Sequence, residues 1–177
     1  MLLDEGMDTG PILAAQKISL AEDETYESLE KKVHSIGPNL LVETLKRYAK
    51  GEVTPVPQGE PMTEVTHLLE KDDGRVDWTK TAKQIDQEAR AYKGWPGTWT
   101  MWNRNGKELR LKLLDLRVTG DATDAPPGTV VAKDHVMKVA ARDEWMEVVE
   151  IQAEGKPPID TPSFLRGYSD INGAELA

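Results

Sequence analysis

Apolar positions in the first fifty residues predict one short strand followed by two helices. The apolar-rich run from Ile12 to Ile18 follows Gly10-Pro11 and predicts the strand. Beyond it, Thr25 is a suitable N-cap for a helix whose apolar residues recur every three or four positions. Gly37-Pro38 predicts a break between this helix and the next. Because two amphipathic helices cannot cover both faces of a sheet with one strand, we expect residues 1–50 to be the end of an α/β domain.

Residues 51–64 have the composition of a linker. They contain three prolines and two glycines and show no apolar periodicity. Proline stiffens such a segment, and segments of this kind commonly separate domains. We therefore predict a boundary here, with one domain over residues 1–50 and a second over residues 65–177.

The second domain opens with a helix and then changes to an apolar period of two. The helical pattern runs from about Thr81 to Tyr92 and stops before Pro96. Alternating apolar and polar residues then predict five short strands, near 98–102, 109–118, 128–132, 136–141 and 145–152. Between the first two strands, Asn105-Gly106 supplies the positive φ angles of a tight hairpin. One helix and five strands predict a small β-barrel of the oligonucleotide-binding (OB) type.

Composition indicates an ordinary globular chain with an uneven distribution of charge. The absence of cysteine excludes disulfides, thiol catalysis and thiolate metal sites. Net charge is −9, but residues 65–117 hold 11 basic and 8 acidic residues, so only this stretch favours nucleic acid. No run approaches the roughly 18 apolar residues of a membrane helix, and there is no secretory signal. We expect a cytoplasmic protein that does not associate with a membrane.

The densest cluster of potential chemistry is the loop before the predicted strand. The run Leu3 to Leu13 holds three carboxylates, Asp4, Glu5 and Asp8, together with two glycines that let the backbone approach a ligand. A carboxylate in such a loop could orient a base or relay a proton. The alternative interpretation is an acidic surface turn in which Asp8 is a turn former.

Asp8-Thr9-Gly10 also matches the triplet of aspartic proteases. That chemistry requires two carboxylates that share a proton, and therefore a second triplet or a homodimer. No second Asp-Thr-Gly occurs in the chain, and polar residues replace the apolar strand expected before the catalytic aspartate. These observations disfavour the protease interpretation.

The loop and four later motifs resemble a known family. The run Leu3–Leu13 resembles the catalytic aspartate loop of folate-dependent formyltransferases. Four later motifs resemble the methionyl-tRNA formyltransferase family in particular: Asp73-Gly74-Arg75-Val76-Asp77-Trp78, Arg90-Ala91-Tyr92, Trp95-Pro96-Gly97 and Phe164-Leu165-Arg166-Gly167-Tyr168. The order and spacing of these motifs are similar to those in the back half of that family's sequences, over nearly the whole of this chain. One departure is Lys93-Gly94, where the family commonly has Asn-Pro.

The resemblance implies both a fold and a reaction. It implies the end of a Rossmann-like formyltransferase domain followed by a tRNA-binding OB-like domain. Members transfer a formyl group from 10-formyltetrahydrofolate to the amino group of methionine on initiator tRNA. They use an aspartate together with the asparagine and histidine of an Asn-x-His motif. Hydrogen-bond donors stabilise the oxyanion, and the aspartate sets the protonation and orientation of the histidine. Asp8 matches the catalytic aspartate, and the backbone of Asp4, Glu5, Gly6 and Met7 matches the folate pocket.

The other catalytic residues of that family do not occur in this chain. Its three histidines, His34, His67 and His135, are preceded two positions earlier by lysine, valine and lysine, so no Asn-x-His is present. We therefore expect a truncated product that is inactive alone, with Met1 an internal methionine of the parent. Three scattered histidines and no cysteine give no metal-ligand spacing, so no metal is expected.

The predicted hairpin carries the candidate RNA contacts. Four cations are expected to form one patch that binds phosphates, namely Arg104, Lys107, Arg110 and Lys112. Trp99 and Trp102 fall on opposite faces of an ideal strand, and burial of both is the favoured interpretation. We expect a monomer that binds initiator methionyl-tRNA and folate. The alternatives are a formyltransferase that acts on a sugar nucleotide, and an RNA-binding module without catalysis.

Overall fold

The computed structural model describes residues 1–59 and 66–177, which divide into two compact units. The first unit spans Met1–Leu68 and the second spans Leu69–Ala177. The last part of the predicted linker, residues 60–64, lies outside the described residues. The two units are described separately below.

The first unit contains one continuous helix, α1 (Tyr26–Ala49), where two were predicted. Thr25 caps it as expected, since its side chain accepts a hydrogen bond from the Ser28 amide at 3.2 Å. Pro38 lies inside the helix, so the predicted break was wrong. Proline already has a helical φ, and its cost is the hydrogen bond that its missing N–H would have donated to the His34 carbonyl. The rest of the helix continues around this single defect.

The strand predicted from Ile12 to Ile18 is reduced to a single bridge. Only Ile12 pairs, in antiparallel fashion with Val56, through main-chain hydrogen bonds of 2.8 and 2.9 Å. A strand exists only where a neighbouring chain accepts and donates its hydrogen bonds. Among the described residues, no such neighbour lies beside positions 13–18, so the apolar run there stays irregular.

The second unit follows the predicted order of elements closely. Its helix α2 (Ala82–Ala91) is capped by Thr81 at its start and by Tyr92 at its end. The five predicted strands are present as β1 (Trp99–Arg104), β2 (Lys107–Ala122), β3 (Val130–Lys133), β4 (Val136–Ala140) and β5 (Glu144–Ala153). Four elements were not predicted, namely β6 (Ile159–Asp160), α3 (Thr161–Gly167) and two short 3-10 helices, Lys71–Gly74 and Ser169–Ile171.

The strands form one curled antiparallel sheet in the order β1-β2-β5-β4-β3, with β6 beside β5. Arg104 pairs with Lys107, so Asn105-Gly106 forms the two-residue hairpin, with φ angles of 54° and 80° as predicted. The pairing of β2 with β5 shifts register after Leu113, which helps the sheet to curl. This architecture is compatible with the predicted OB-type barrel.

The last residues of the chain connect the two edge strands of the sheet. Glu175 bridges to Thr129 just before β3, and Leu176 bridges to Trp102 in β1. Met101 and Ala177 exchange main-chain hydrogen bonds of 2.7 and 2.9 Å. Gly128 allows the close approach, because a Cβ there would lie 2.4 Å from the Leu176 carbonyl oxygen. The edges are thereby covered, as a small barrel requires.

The hydrophobic core of the second unit lies on the inner face of this sheet. On β2, Leu111 and Leu113 point inward while Lys112 is exposed, which is the period of two expected for a half-buried strand. The largest fully buried side chains come from the helices and from strands β2 to β5, and they include Phe164, Ile85, Leu111, Met137, Met146 and Ile151. α2 and α3 therefore close the core that the sheet leaves open.

Two of the family motifs pack directly against one another. A Cβ on Gly74 would lie 1.9 Å from the Gly97 carbonyl oxygen and 3.2 Å from the Pro96 ring. Beyond this contact, the Val76 amide donates to the Trp99 carbonyl at 2.8 Å, and Trp78 Nε1 donates to Thr100 Oγ1 at 3.1 Å. The Asp-Gly-Arg-x-Asp-Trp segment is therefore held along β1, and its glycine is required by close packing.

Candidate functional site

The carboxylate of Asp4 shapes the loop that precedes Ile12. Its Oδ1 accepts hydrogen bonds from the Gly6 amide at 3.1 Å and from Thr9 Oγ1 at 2.7 Å. Both donors lie within the same loop, so the Asp4 side chain acts on its own backbone. The Asp4 carboxylate therefore helps to fix the backbone of the loop.

Asp8 occupies the apex of this loop in a left-handed backbone conformation. Its φ is 57°, which is uncommon for residues other than glycine but is tolerated by aspartate and asparagine. The Asp8 side chain is exposed. Its carboxylate makes no hydrogen bond to the described residues, so it is available to an outside partner.

Gly10 brings the two ends of the loop together. A Cβ at Gly10 would lie 1.8 Å from the Leu2 carbonyl oxygen, a distance that no side chain can accommodate without a shift of the backbone. The Leu2 amide donates to the Pro11 carbonyl at 2.9 Å across the same contact. The loop is therefore closed around the buried Gly10.

A second segment, just after α1, holds the loop from outside. The side-chain amide of Gln58 donates to the carbonyl of Asp8 at 2.8 Å and to that of Gly10 at 2.7 Å. Sequence reasoning did not find Gln58, because a lone glutamine in a proline-rich stretch carries no motif. No local sequence signal pointed to it, because its place follows from the pairing of Ile12 with Val56, which joins distant segments.

His34 is exposed on α1, and His135 is exposed in the β3–β4 turn with a φ of 67°. Within residues 1–59 and 66–177, no group of three metal-ligating side chains could hold a metal ion.

The strand register divides the four predicted cations into two pairs, so the expectation of a single patch was wrong. Arg104 lies opposite Lys107, in line with the inward residues Trp102 and Leu109. Arg110 and Lys112 alternate along β2 with the inward residues, so their side chains lie on the outer face of the strand. The hairpin therefore presents two separate sets of cations.

Arg104 is occupied by contacts within the protein. Its guanidinium makes two hydrogen bonds to the Asp170 carboxylate, at 2.7 and 2.8 Å, and lies 4.7 Å from the Tyr168 ring centroid and 5.3 Å from that of Trp102. These hydrogen bonds hold the pKa of Asp170 below its ordinary value and raise that of Arg104. The arrangement fits a structural role that anchors the segment after α3 to β1.

Arg110 and Lys112 border an open cleft on the outer face of the sheet. The cleft has a volume of about 140 Å³ and is lined by Arg110, Lys112, Gln152, Ala153, Glu154 and Gly155. Trp99 is buried beside it, with the guanidinium groups of Arg75 and Arg110 each 5.9 Å from its ring centroid. Both Trp99 and Trp102 are buried, as expected. Arg75 and Gln152 were not among the predicted contacts.

No helix among the described residues is long and apolar enough to cross a membrane.

Comparison with protein families places both parts of the chain. Residues 68–169 match the family described as "Formyl transferase, C-terminal domain", and residues 1–45 match the one described as "Formyl transferase". Among curated proteins, the methionyl-tRNA formyltransferase of Roseiflexus sp. (strain RS-1) is 38% identical over 99% of this chain and 53% of its own length. That of Myxococcus xanthus (strain DK1622) is 36% identical over 99% of this chain and 54% of its length. The chain thus spans about half the length of the curated relatives it matches.

Solved structures share the fold at low sequence identity. HypX from Aquifex aeolicus in complex with tetrahydrofolic acid superposes with a TM-score of 0.60 and 19% identity, over 92% of this chain and 28% of that one. The N-formyltransferase from Helicobacter canadensis, in complex with folinic acid and dTDP-3-aminofucose, gives a TM-score of 0.60 and 15% identity, over 82% of this chain and 52% of that one.

Proposed function

Because this chain belongs to the formyl transferase family, we propose that it takes part in the formylation of methionyl-tRNA, with Asp8 as its catalytic aspartate. The observation that carries the proposal is a match of 34–38% identity to curated methionyl-tRNA formyltransferases over 94–99% of the chain. The exposed, left-handed Asp8 at the apex of a closed loop supports it.

The reaction moves a formyl group from a folate nitrogen to an amine. The methionine amine attacks the formyl carbon of 10-formyltetrahydrofolate and forms a tetrahedral intermediate that carries an oxyanion. The nitrogen then loses a proton, the bond from carbon to the folate nitrogen breaks, and tetrahydrofolate leaves with a proton. The Asp8 carboxylate would accept a hydrogen bond from a histidine and favour the protonation state needed for this transfer. The histidine, and an asparagine that donates to the oxyanion, would come from residues outside these 177.

The shape of the acidic loop supports a folate site built from backbone. We propose that the backbone of Asp4, Glu5, Gly6 and Met7 contacts the pterin ring. Since the Asp4 carboxylate already bonds Gly6 and Thr9, this loop offers main-chain groups in a fixed arrangement. Loop shape would then matter more for folate binding than the identity of these side chains.

The domain organisation is proposed on the same basis. Residues 1–50 would be the end of a Rossmann-like catalytic domain, residues 51–64 a linker, and residues 65–177 an OB-like tRNA-binding domain. The curled sheet, with both edges met by the final residues of the chain, supports the OB-like assignment. A monomer in the cytoplasm is proposed.

Recognition of tRNA is proposed on the outer face of β2. Arg110 and Lys112 border the open cleft there, and exposed Arg75 adds a third cation near Trp99. Cations that follow one face can neutralise successive phosphates. Lys107 is exposed at the hairpin and is proposed as a peripheral contact to tRNA. Arg104 would contribute indirectly, because its hydrogen bonds to Asp170 hold the hairpin in place.

A formyl-transfer assay tests the proposal on two proteins. The first is the chain itself, and the second is an extended protein, in which the chain is preceded by the part of the Roseiflexus relative that it does not match. We expect the extended protein to transfer the formyl group from 10-formyltetrahydrofolate to initiator methionyl-tRNA, and the unextended chain to show no transfer. Transfer by the unextended chain would contradict the proposed division of catalytic residues.

Two other outcomes correspond to the alternative functions. Formylation of an amino-sugar nucleotide in preference to methionyl-tRNA by the extended protein would identify a sugar-nucleotide enzyme. Binding of tRNA without any transfer by the extended protein would identify an RNA-binding module.

A further inference from the structure

One amide nitrogen joins two segments that are about fifty residues apart in the chain. Gln58 Nε2 donates one hydrogen to the Asp8 carbonyl at 2.8 Å and the other to the Gly10 carbonyl at 2.7 Å. A primary amide is the one uncharged side-chain group that carries two hydrogens on a single nitrogen. The identity of residue 58 therefore matches the two carbonyls it faces.

The neighbouring main chain places Gln58 at this position. Val56 exchanges two hydrogen bonds with Ile12, at 2.8 and 2.9 Å, and so aligns the segment after α1 with the end of the loop. Gln58 lies two residues further along and reaches back over the loop. The bridge fixes the stem of the loop, and Gln58 contacts the residues that set the direction of Asp8.

Asp8 requires such support more than most residues do. Its φ of 57° is uncommon for residues with a Cβ, and although aspartate tolerates it, contacts from neighbouring groups help to hold it there. The Asp4 carboxylate binds the earlier part of the loop, at Gly6 and Thr9. Among the described residues, Gln58 is the side chain that hydrogen-bonds Asp8 itself.

We infer that Gln58 is a positioning residue, which holds the Asp8 backbone so that its carboxylate faces outward in a fixed direction. The inference rests on the proposed function only for the catalytic role of Asp8. The positioning itself is a property of the chain in hand, and it can be measured without any formyl transfer.

The test is NMR spectroscopy of the full 177-residue chain with Gln58→Glu and Gln58→Met. Glutamate has the same shape but turns carboxylate oxygens toward the two carbonyls, and methionine of similar length removes both donors. We expect amide exchange at Leu2 and Ile12 to accelerate about tenfold. The two hydrogen bonds of Gln58 oppose local opening of the loop, and their loss raises the population of the open form from which exchange occurs. The Asp8 Cα and Hα shifts should move away from left-handed values in both variants.

The glutamate variant adds a rescue that a general loss of structure would not give. A protonated glutamic acid regains one O–H donor, so the Asp8 shifts should return part of the way below a pH of about 4. Gln16→Glu, an exposed residue with the same change of charge, serves as the matched control for effects of charge and of pH that do not involve residue 58. Amides of β4 and β5 report on the second unit and should stay unchanged.

The outcomes separate the positioning role from the enzymatic one. Asp8 shifts and Leu2 exchange that match the wild type in both variants would overturn the role of Gln58. Changed shifts together with an extended protein that transfers no formyl group would leave the positioning role intact and remove the proposed function.

Discussion

Gly74 and Gly97 explain, at the scale of single residues, why two separate motifs of this chain belong together. Gly97 has a φ of 78°, which glycine adopts without strain, and its carbonyl lies against the Cα of buried Gly74. Neither motif carries chemistry at this contact. Both hold the segment before α2 against the start of β1.

The first prediction concerns Gly74→Ala. The added methyl group would lie 1.9 Å from the Gly97 oxygen, and both sides of the contact are backbone, so the chain must shift. We expect a loss of about 1–3 kcal/mol in the free energy of unfolding, measured by urea denaturation. Gly167→Ala is the control, because nothing lies within 4 Å of a Cβ there. Equal stability of the two variants would contradict the packing.

The second prediction concerns the pH dependence of the Arg104–Asp170 pair. The Arg104 guanidinium holds the pKa of Asp170 below its ordinary value, so the stabilisation is present at neutral pH and is lost as pH falls through the lowered pKa. Asp170→Asn should therefore reduce Tm at pH 7, and the difference from wild type should shrink below a pH of about 4. Asp124→Asn, an exposed carboxylate, is the control. A difference that is constant from pH 7 to pH 2 would exclude the ion pair as its source.

Burial of single residues was more predictable than their pairing. Strand alternation correctly predicted that Trp99 and Trp102 are buried on opposite faces. It did not predict that Arg104 bonds Asp170, because that contact joins residues 66 positions apart. Gln58 was missed for the same reason, since nothing local identifies a partner fifty residues away.

At the scale of elements, α1 shows how a proline can remain inside a helix. No residue of α1 is buried, so the helix is held by its own hydrogen bonds and its caps. Near its start, Glu24 contacts Lys32 and Ser28, which lowers the Glu24 pKa to about 2. Pro38 weakens the helix without ending it, which a rule that treats proline as a helix stop does not capture.

The third prediction is that Pro38→Ala strengthens α1. Alanine restores the donor to the His34 carbonyl and removes the proline ring. The missing donor and the ring of a proline together cost up to about 3 kcal/mol in a helix interior. We expect higher helical ellipticity and a higher melting temperature of the helical signal by circular dichroism. Pro57→Ala, outside any helix, should leave both unchanged. A lower helical signal in Pro38→Ala would show that the proline is required.

The sheet was predicted better than the first unit because its pattern is self-contained. β1 to β5 all occur near their predicted positions, since each strand has a partner among its sequence neighbours or near them. β6 and α3 were missed because a two-residue strand and a seven-residue helix are too short to show a period. The run from Ile12 to Ile18 had the right composition for a strand but only one pairing residue.

The fourth prediction tests the outer face of β2. Charge reversal of both Arg110 and Lys112 to Glu should weaken tRNA binding and reduce the slope of log K against log salt by about one to two units. Lys83→Glu combined with Lys93→Glu changes net charge equally at exposed positions outside the sheet. Binding that both double variants weaken equally, or that neither changes across a salt series, would exclude a specific contact face.

At the scale of the whole molecule, apolar burial is uneven. The buried apolar side chains of the described residues lie between Val76 and Leu176, whereas α1 exposes several large apolar residues, including Val33, Leu41, Val42, Leu45 and Tyr48. The second unit therefore has a complete core. The first unit contributes a loop of defined geometry. The proposed role of this loop in catalysis depends on the histidine that the Asp8 carboxylate would contact.

The fifth prediction is the most direct test of the claim that Asp8 is the catalytic aspartate. In the extended protein, Asp8→Asn keeps the size of the side chain and removes its charge, so kcat for formyl transfer should fall by about 100- to 10,000-fold with little change in KM for methionyl-tRNA. Asp23→Asn, an exposed carboxylate outside the loop, should retain the wild-type kcat. An Asp8→Asn protein whose kcat equals that of Asp23→Asn would contradict the account.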